Sequence, residues 1–144
     1  MPLMKCENFR RAFSRLQEAV SEYNETPTST VLRDGVIQRF EFTFELAWKS
    51  LKEYMEDQGA SGDLNFPKGV LKTAFASGLI SDDTVWLDML ASRNITSHIY
   101  DDAQASQVLS SICKNSIAST INLKRSFVRG LRRMFPFLIM FAHI

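Results

Sequence analysis

The chain has 144 residues, 45% of them hydrophobic and 23% charged, which fits one globular domain and leaves no room for a second of ordinary size. Its two cysteines, Cys6 and Cys113, match neither a disulfide framework nor a Cys-x-x-Cys metal pair, and are expected to be reduced thiols of a cytoplasmic protein. No apolar run backs the basic residues of the N-terminus as in a secretory signal, and the apolar stretch Pro136–Ala142 falls far short of the roughly 20 residues of a membrane span. The net charge of +1 hides an asymmetry: residues 1–102 hold all 16 acidic residues against 11 Lys and Arg, and the last 42 residues carry +6.

Phe9, Ala12, Phe13, Leu16, Val20 and Tyr23 recur at spacings of three and four, which predicts a first helix ending near Asn24. The polar run Asn24–Thr30 is turn-forming, with Thr30 placed to cap the next element. From Val31 to Asp57, Phe40, Phe42, Phe44, Leu46 and Trp48 alternate with small or polar residues as a strand would. The polar residues decide for a helix, because Gln38, Glu41, Glu45, Lys49, Lys52 and Glu56 form one stripe, with Glu45 and Lys49 in the favourable i,i+4 order. Apolar residues fill the rest of this helix's circumference, so it is expected either at the centre of a bundle or shared with a second copy of the chain, as a homodimer.

Gln58–Asp63 closes the second helix, Pro67 opens a short third one and Gly78 stops it. Ser81, Asp82 and Asp83 supply cap and charge for a fourth helix carrying Val85, Trp86, Met89 and Leu90. Asp101 and Asp102 do the same for a fifth, through Val108, Leu109, Ile112 and Ile117. Lys124, Arg125, Arg129, Arg132 and Arg133 then alternate with apolar residues at helical spacing, a basic amphipathic segment best explained as a final helix with a solvated face. The fold class is all-α, an antiparallel up-and-down bundle of four to five helices.

With only two histidines and no His-x-x-x-His pair, Gly-rich phosphate loop or Gly-x-Ser-x-Gly elbow, neither a metal nor another cofactor is implied. The chemistry gathers instead in Ala91–Asp102, a polar cluster where a bundle should simply turn. Arg93 offers a permanently charged planar fork for a phosphate, His98 can exchange protons near neutrality, and Tyr100 adds a hydroxyl. Arg93, Ser97 and Tyr100 would share one helical face, with Asn94, His98 and Asp101 on the adjacent one; Arg93 and His98 would then point about 140° apart. They converge only if the helix breaks or two copies of the segment meet, and β-branched Ile95, Thr96 and Ile99 weaken a helix there. The plain structural alternative pairs Arg93 with Asp101 or Asp88 and makes His98 a helix C-cap. Glu41, Glu45 and Lys49 are expected to be a surface salt-bridge ladder.

Arg33–Lys49, Ala74–Ile80, Trp86–Leu90 and Arg93–Asp101, in this order, resemble the nucleotidyltransferase substrate-binding family of the HEPN superfamily. The resemblance covers about residues 5–123, within a bundle expected over 1–123, and does not extend to 124–144, the basic and then apolar tail. It implies a dimerising helical bundle encoded beside a minimal nucleotidyltransferase, as in HEPN toxin–antitoxin pairs. The superfamily's ribonuclease motif, Arg-x4-His-x-Tyr, is filled by Arg93, His98 and Tyr100, with Asn94 following the arginine and Ser97 and Asp101 as supporting residues. By resemblance, the substrate is RNA such as tRNA or mRNA, and the partner enzyme silences the nuclease by adenylylating Tyr100. The alternative is a non-catalytic adaptor that presents a substrate to the nucleotidyltransferase, and a third reading is a purely structural helical dimer.

Overall fold

Helical spacing in the sequence becomes helix throughout the computed structural model, which describes residues 2–113, with side chains from Glu7 onward. Its elements are α1 (Pro2–Glu25), α2 (Thr30–Asp57), α3 (Pro67–Ala76), α4 (Asp83–Thr96) and α5, helical over 102–113. No strand occurs among the described residues. The expected continuation of α5 through Ile117 and the basic segment beyond it lie outside them.

α1 buries Phe9, Phe13, Leu16 and Val20 of the predicted stripe against α2, together with Ala19, while Ala12 and Tyr23 are only partly buried. The cap of α2 lies one residue earlier than expected: Ser29 is still extended, at φ −78° and ψ 115°, and its Oγ accepts the Leu32 N–H at 3.1 Å. Thr30 is already helical. α2 packs against α1, α3 and α4 at once, the central position that its wide apolar surface calls for. Val36, Phe40, Phe44, Ala47, Leu51 and Met55 are buried, and the Phe44 ring lies 6.3 Å from that of Trp86 in α4. Full burial of a Val, Leu, Met or Phe side chain such as these stabilises by about 1.5–3 kcal/mol. Phe42 departs from the expected pattern and remains 60% exposed.

Pro67 occupies the first turn of α3, where a missing N–H costs nothing. A methyl group at Gly69 would strike the Asp63 carbonyl, so the loop reaches α3 closely only because that residue is glycine. Asp82 caps α4, its Oδ1 accepting from Thr84 at 3.0 Å and Val85 at 3.3 Å. α5 inserts Ala105, Val108, Leu109 and Ile112 into the same core. Burial pushes the half-buried Cys113 thiol up, away from a reactive thiolate. Among the described residues, no helix is long and apolar enough to cross a membrane.

Candidate functional site

The polar cluster sits at the end of α4, and the helix does break inside it. Thr96 is the last helical residue and Ser97 the cap, so Arg93 and Asn94 belong to the final turn while His98, Tyr100 and Asp101 follow it. The final carbonyls, which lack helical donors, are taken up locally. Thr96 Oγ1 donates to Arg93 O at 2.6 Å, Ser97 Oγ to Asn94 O at 3.4 Å, and the His98 N–H to Ile95 O at 2.8 Å. The chain then enters α5 through reciprocal bonds: Asp101 Oδ1 accepts the Gln104 N–H at 2.7 Å, and Gln104 Oε1 accepts the Tyr100 N–H at 3.0 Å. These bonds resemble a capping box shifted by one residue.

Arg93 pairs with neither Asp101 nor Asp88. Its Nη2 meets Glu45 of α2, and its Nη1 donates to Asn94 Oδ1 at 3.3 Å. Glu45 also faces Lys49 at 3.4 Å, so part of the expected ladder exists, but its carboxylate doubles as the anchor of the site arginine. Of the five guanidinium N–H groups, those not used by Glu45 and Asn94 remain to meet an anion. The Arg93 side chain is 37% exposed, within reach of solvent. Glu45 was hidden in the sequence because its i,i+4 partner Lys49 already accounts for it, and no local spacing announces a contact spanning 48 residues.

His98 and Tyr100 are exposed, the tyrosine at 83%. Among the described residues no hydrogen bond or ion pair joins either side chain to Arg93. What lies beside Tyr100 is a pocket of about 350 Å³ lined by Arg33, Asp34, Ile37, Thr96, Ile99, Tyr100, Asp101, Asp102 and Ala105. Arg33 bridges its wall, bonding to Asp34 at 3.0 Å and, across to α5, Asp102 at 3.1 Å. The hydrogen bond to Asp34 and then that to Asp102 hold the guanidinium still more firmly protonated than usual. Among the described residues, no group of three His, Cys, Asp or Glu side chains is arranged to hold a metal ion.

Residues 4–128 match the model of the family described as nucleotidyltransferase substrate binding protein like. The chain belongs to this family. Relatives and solved structures agree with the assignment. A curated protein of Haemophilus influenzae, described as "Probable ribonuclease HepT", is 36% identical over 95 residues, which are 63% of this chain and 64% of that protein. The chain thus spans somewhat less than two thirds of the length of that curated relative. A solved structure from Haemophilus influenzae, described as revealing the fold of a substrate-binding domain of a nucleotidyltransferase, aligns with a TM-score of 0.73 at 27% identity, covering 83% of this chain and 96% of its own. A crystal structure from Thermus thermophilus aligns at 0.71 and 33% identity, covering 82% and 98%.

In this member of the nucleotidyltransferase substrate-binding family, the helix break changes what the cluster can do. A continuous helix would send Arg93 and His98 to different faces, whereas a break after Thr96 frees the direction of everything from Ser97 onward. One end of the bundle therefore carries an anchored cation, an exposed imidazole, and a phenol held out by its backbone.

Proposed function

We propose that this chain is a metal-independent endoribonuclease of a two-gene nucleotidyltransferase system, acting through Arg93 and His98 of the Arg-x4-His-x-Tyr motif and silenced by adenylylation of Tyr100. The observation that carries the reading is the break of α4 at Ser97, with Arg93 tethered on one side of it and exposed His98 and Tyr100 on the other. The curated relative's description as a ribonuclease supports the same reading.

In the proposed reaction a base takes the proton of an RNA 2′-hydroxyl, the 2′-oxygen attacks the adjacent phosphorus, and the 5′-oxygen leaves with a proton from an acid. His98 carries proton transfer, a contribution typically worth about 10²- to 10⁴-fold. Arg93, oriented by Glu45 and Asn94, stabilises the charge that builds on the phosphoryl oxygens. Ser97 and Asp101 support the turn, through the hydroxyl on Asn94 O and the cap of α5. A homodimer supplies a second His98, so that acid and base are separate residues. Val31, Phe42 and Ile95, exposed at 78%, 60% and 47%, are apolar surface for such a contact.

Silencing follows from the exposure of Tyr100. Its Oη attacks the α-phosphorus of ATP in the partner's active site, pyrophosphate leaves, and the phenolic proton passes to solvent. The bulk and charge of AMP then block an RNA backbone. A second reading is favoured by the description of the solved Haemophilus influenzae structure: a non-catalytic subunit that binds substrate for the nucleotidyltransferase.

The test is incubation of the purified protein with mixed RNA in EDTA, beside His98→Ala. Cleavage by the parent alone, leaving 2′,3′-cyclic phosphate ends, supports the nuclease. Intact RNA with folded protein free of AMP favours the adaptor.

A further inference from the structure

We propose that the pocket beside Tyr100 is a binding site for a nucleobase bearing an exocyclic amine (adenine, cytosine or guanine), which enters base first with its phosphate left outside. The proposal rests on the nucleotide chemistry proposed above and adds a subsite with its own selectivity. The base comes either from an RNA strand or from a nucleotide joined to Tyr100.

Size is the first argument. A volume of about 350 Å³ lies at the lower end of small-molecule pockets and suits one nucleoside rather than a folded peptide or an oligonucleotide. The walls divide by chemistry. Ile37, Ile99 and Ala105 give apolar surface, while Asp34, Asp101 and Asp102 place three carboxylates around it. The neighbouring cation is Arg33, which is committed to Asp34 and Asp102.

Three carboxylates against one guanidinium leave a net negative rim, which repels a phosphodiester and attracts N–H donors. An ionised carboxylate offers about four acceptor positions, so pairing with Arg33 does not exhaust Asp34 or Asp102. Asp101 spends one on the Gln104 N–H. The remaining acceptors match the amino group of adenine, cytosine or guanine; uracil offers only its N3–H, flanked by the carbonyl oxygens O2 and O4 that face carboxylates unfavourably. Tyr100 supplies the third element. Its backbone is fixed by Gln104 and its ring is 83% exposed, a platform on which a base can stack.

The experiment is a titration of the ¹⁵N-labelled full-length protein with AMP, CMP and UMP. The expected result is amide shifts at Ile37, Thr96, Ile99 and Ala105 with AMP and CMP, and binding of UMP weaker by about 2- to 12-fold, the factor of one net hydrogen bond. Ile99→Trp, which fills the pocket, removes the shifts, and Asp34→Asn narrows the preference without filling it. No shifts at these residues, or equal shifts with UMP, overturn the proposal.

The source is read in two further arms. A cleavage preference beside A, C or G that Asp34→Asn levels assigns the pocket to the RNA strand. Faster phosphodiesterase removal of AMP from Tyr100 in Ile99→Trp assigns it to the tethered nucleotide. In protein that cleaves RNA and carries AMP on Tyr100, absence of both effects also overturns the proposal. Failure of the nuclease reading alone appears differently, as intact RNA with the AMP shifts still present.

Discussion

Helices α2 and α3 both run into a glycine in the left-handed region, Gly59 at φ 70° and Gly78 at φ 80°. In each, two successive N–H groups fold back on the last carbonyls: Gly59 to Glu56 and Ala60 to Met55, Gly78 to Phe75 and Leu79 to Ala74, all within 3.1 Å. This Schellman pattern satisfies most of the helix end with backbone, helped in α3 by the hydroxyl of Ser77, which donates to Ala74 O at 3.2 Å. α4 ends otherwise. It has no glycine and no residue at positive φ, and its last carbonyls are held by the hydroxyls of Thr96 and Ser97 and the N–H of His98. An end built from side chains can present chemistry, and it is here that Arg93, His98 and Tyr100 lie. The comparison separates helix ends that are structural from one that is available for function.

The largest effect tests that separation directly. His98→Ala should lower RNA cleavage by about 10²- to 10⁴-fold, the usual contribution of a proton-transfer residue. Its thermal midpoint should stay near that of the parent, because surface changes of this kind stay within about 0.5 kcal/mol. Cleavage rates and thermal melts of the two proteins check both halves. A variant that loses fold along with activity would put α4's end in the same class as the others.

Gly78→Ala is the converse. The methyl group meets open space, so the cost is confined to the positive φ, about 1–2 kcal/mol. Stability should fall by that amount in a urea titration while the cleavage rate of the folded protein is unchanged. Ser97→Ala, by contrast, loses only a 3.4 Å hydroxyl contact and should cost less than about 0.5 kcal/mol.

These two kinds of end also differ in how far the sequence announces them. Gly78 and the Gln58–Asp63 run mark their stops in the residues themselves, and Pro67 and Asp82 mark the following starts. The hydrophobic stripes of α1 and α2 likewise fix which faces are buried, since helical spacing is a local property. α4's stop carries only the weak signal of Ile95, Thr96 and Ile99, so the sequence left a continuous helix and a broken one both open. The resemblance to the family named the residues, but not their geometry. Glu45 and the Arg33–Asp102 bridge were beyond local reading for a different reason: each joins residues 48 or more positions apart, brought together by packing of α2 against α4 and α5. Phe42 shows the limit of periodicity within one helix, since an apolar residue beside a polar stripe can face either the core or a partner.

Glu45 gives the next effect. It does not reach the RNA in the proposed mechanism but orients Arg93, so it is a positioning residue. Glu45→Ala should reduce kcat about tenfold, less than the roughly 10²-fold that a misplacement of 1 Å can cost, because Asn94 still holds one guanidinium nitrogen. KM should change less, and Glu45→Gln, which keeps an acceptor for Arg93, should recover part of the rate. The pair is partly exposed, so stability should fall by no more than about 1 kcal/mol. A merely structural ion pair would move the melting curve and leave kcat of the folded protein alone.

The smallest effect on the fold belongs to Tyr100→Phe. The ring is 83% exposed, and the bond that fixes the residue comes from its backbone N–H to Gln104, which phenylalanine retains. The melting midpoint should therefore stay within about 0.5 kcal/mol of the parent. What should disappear is labelling by ATP in the presence of the cognate nucleotidyltransferase, measured as an intact-mass gain of one AMP in the parent and none in the variant. Labelling that persists in Tyr100→Phe would move the modification to another residue. A drop in stability would give the phenol a structural contact that its exposure denies it, making the end of α4 depend on side-chain packing as α2 and α3 do not.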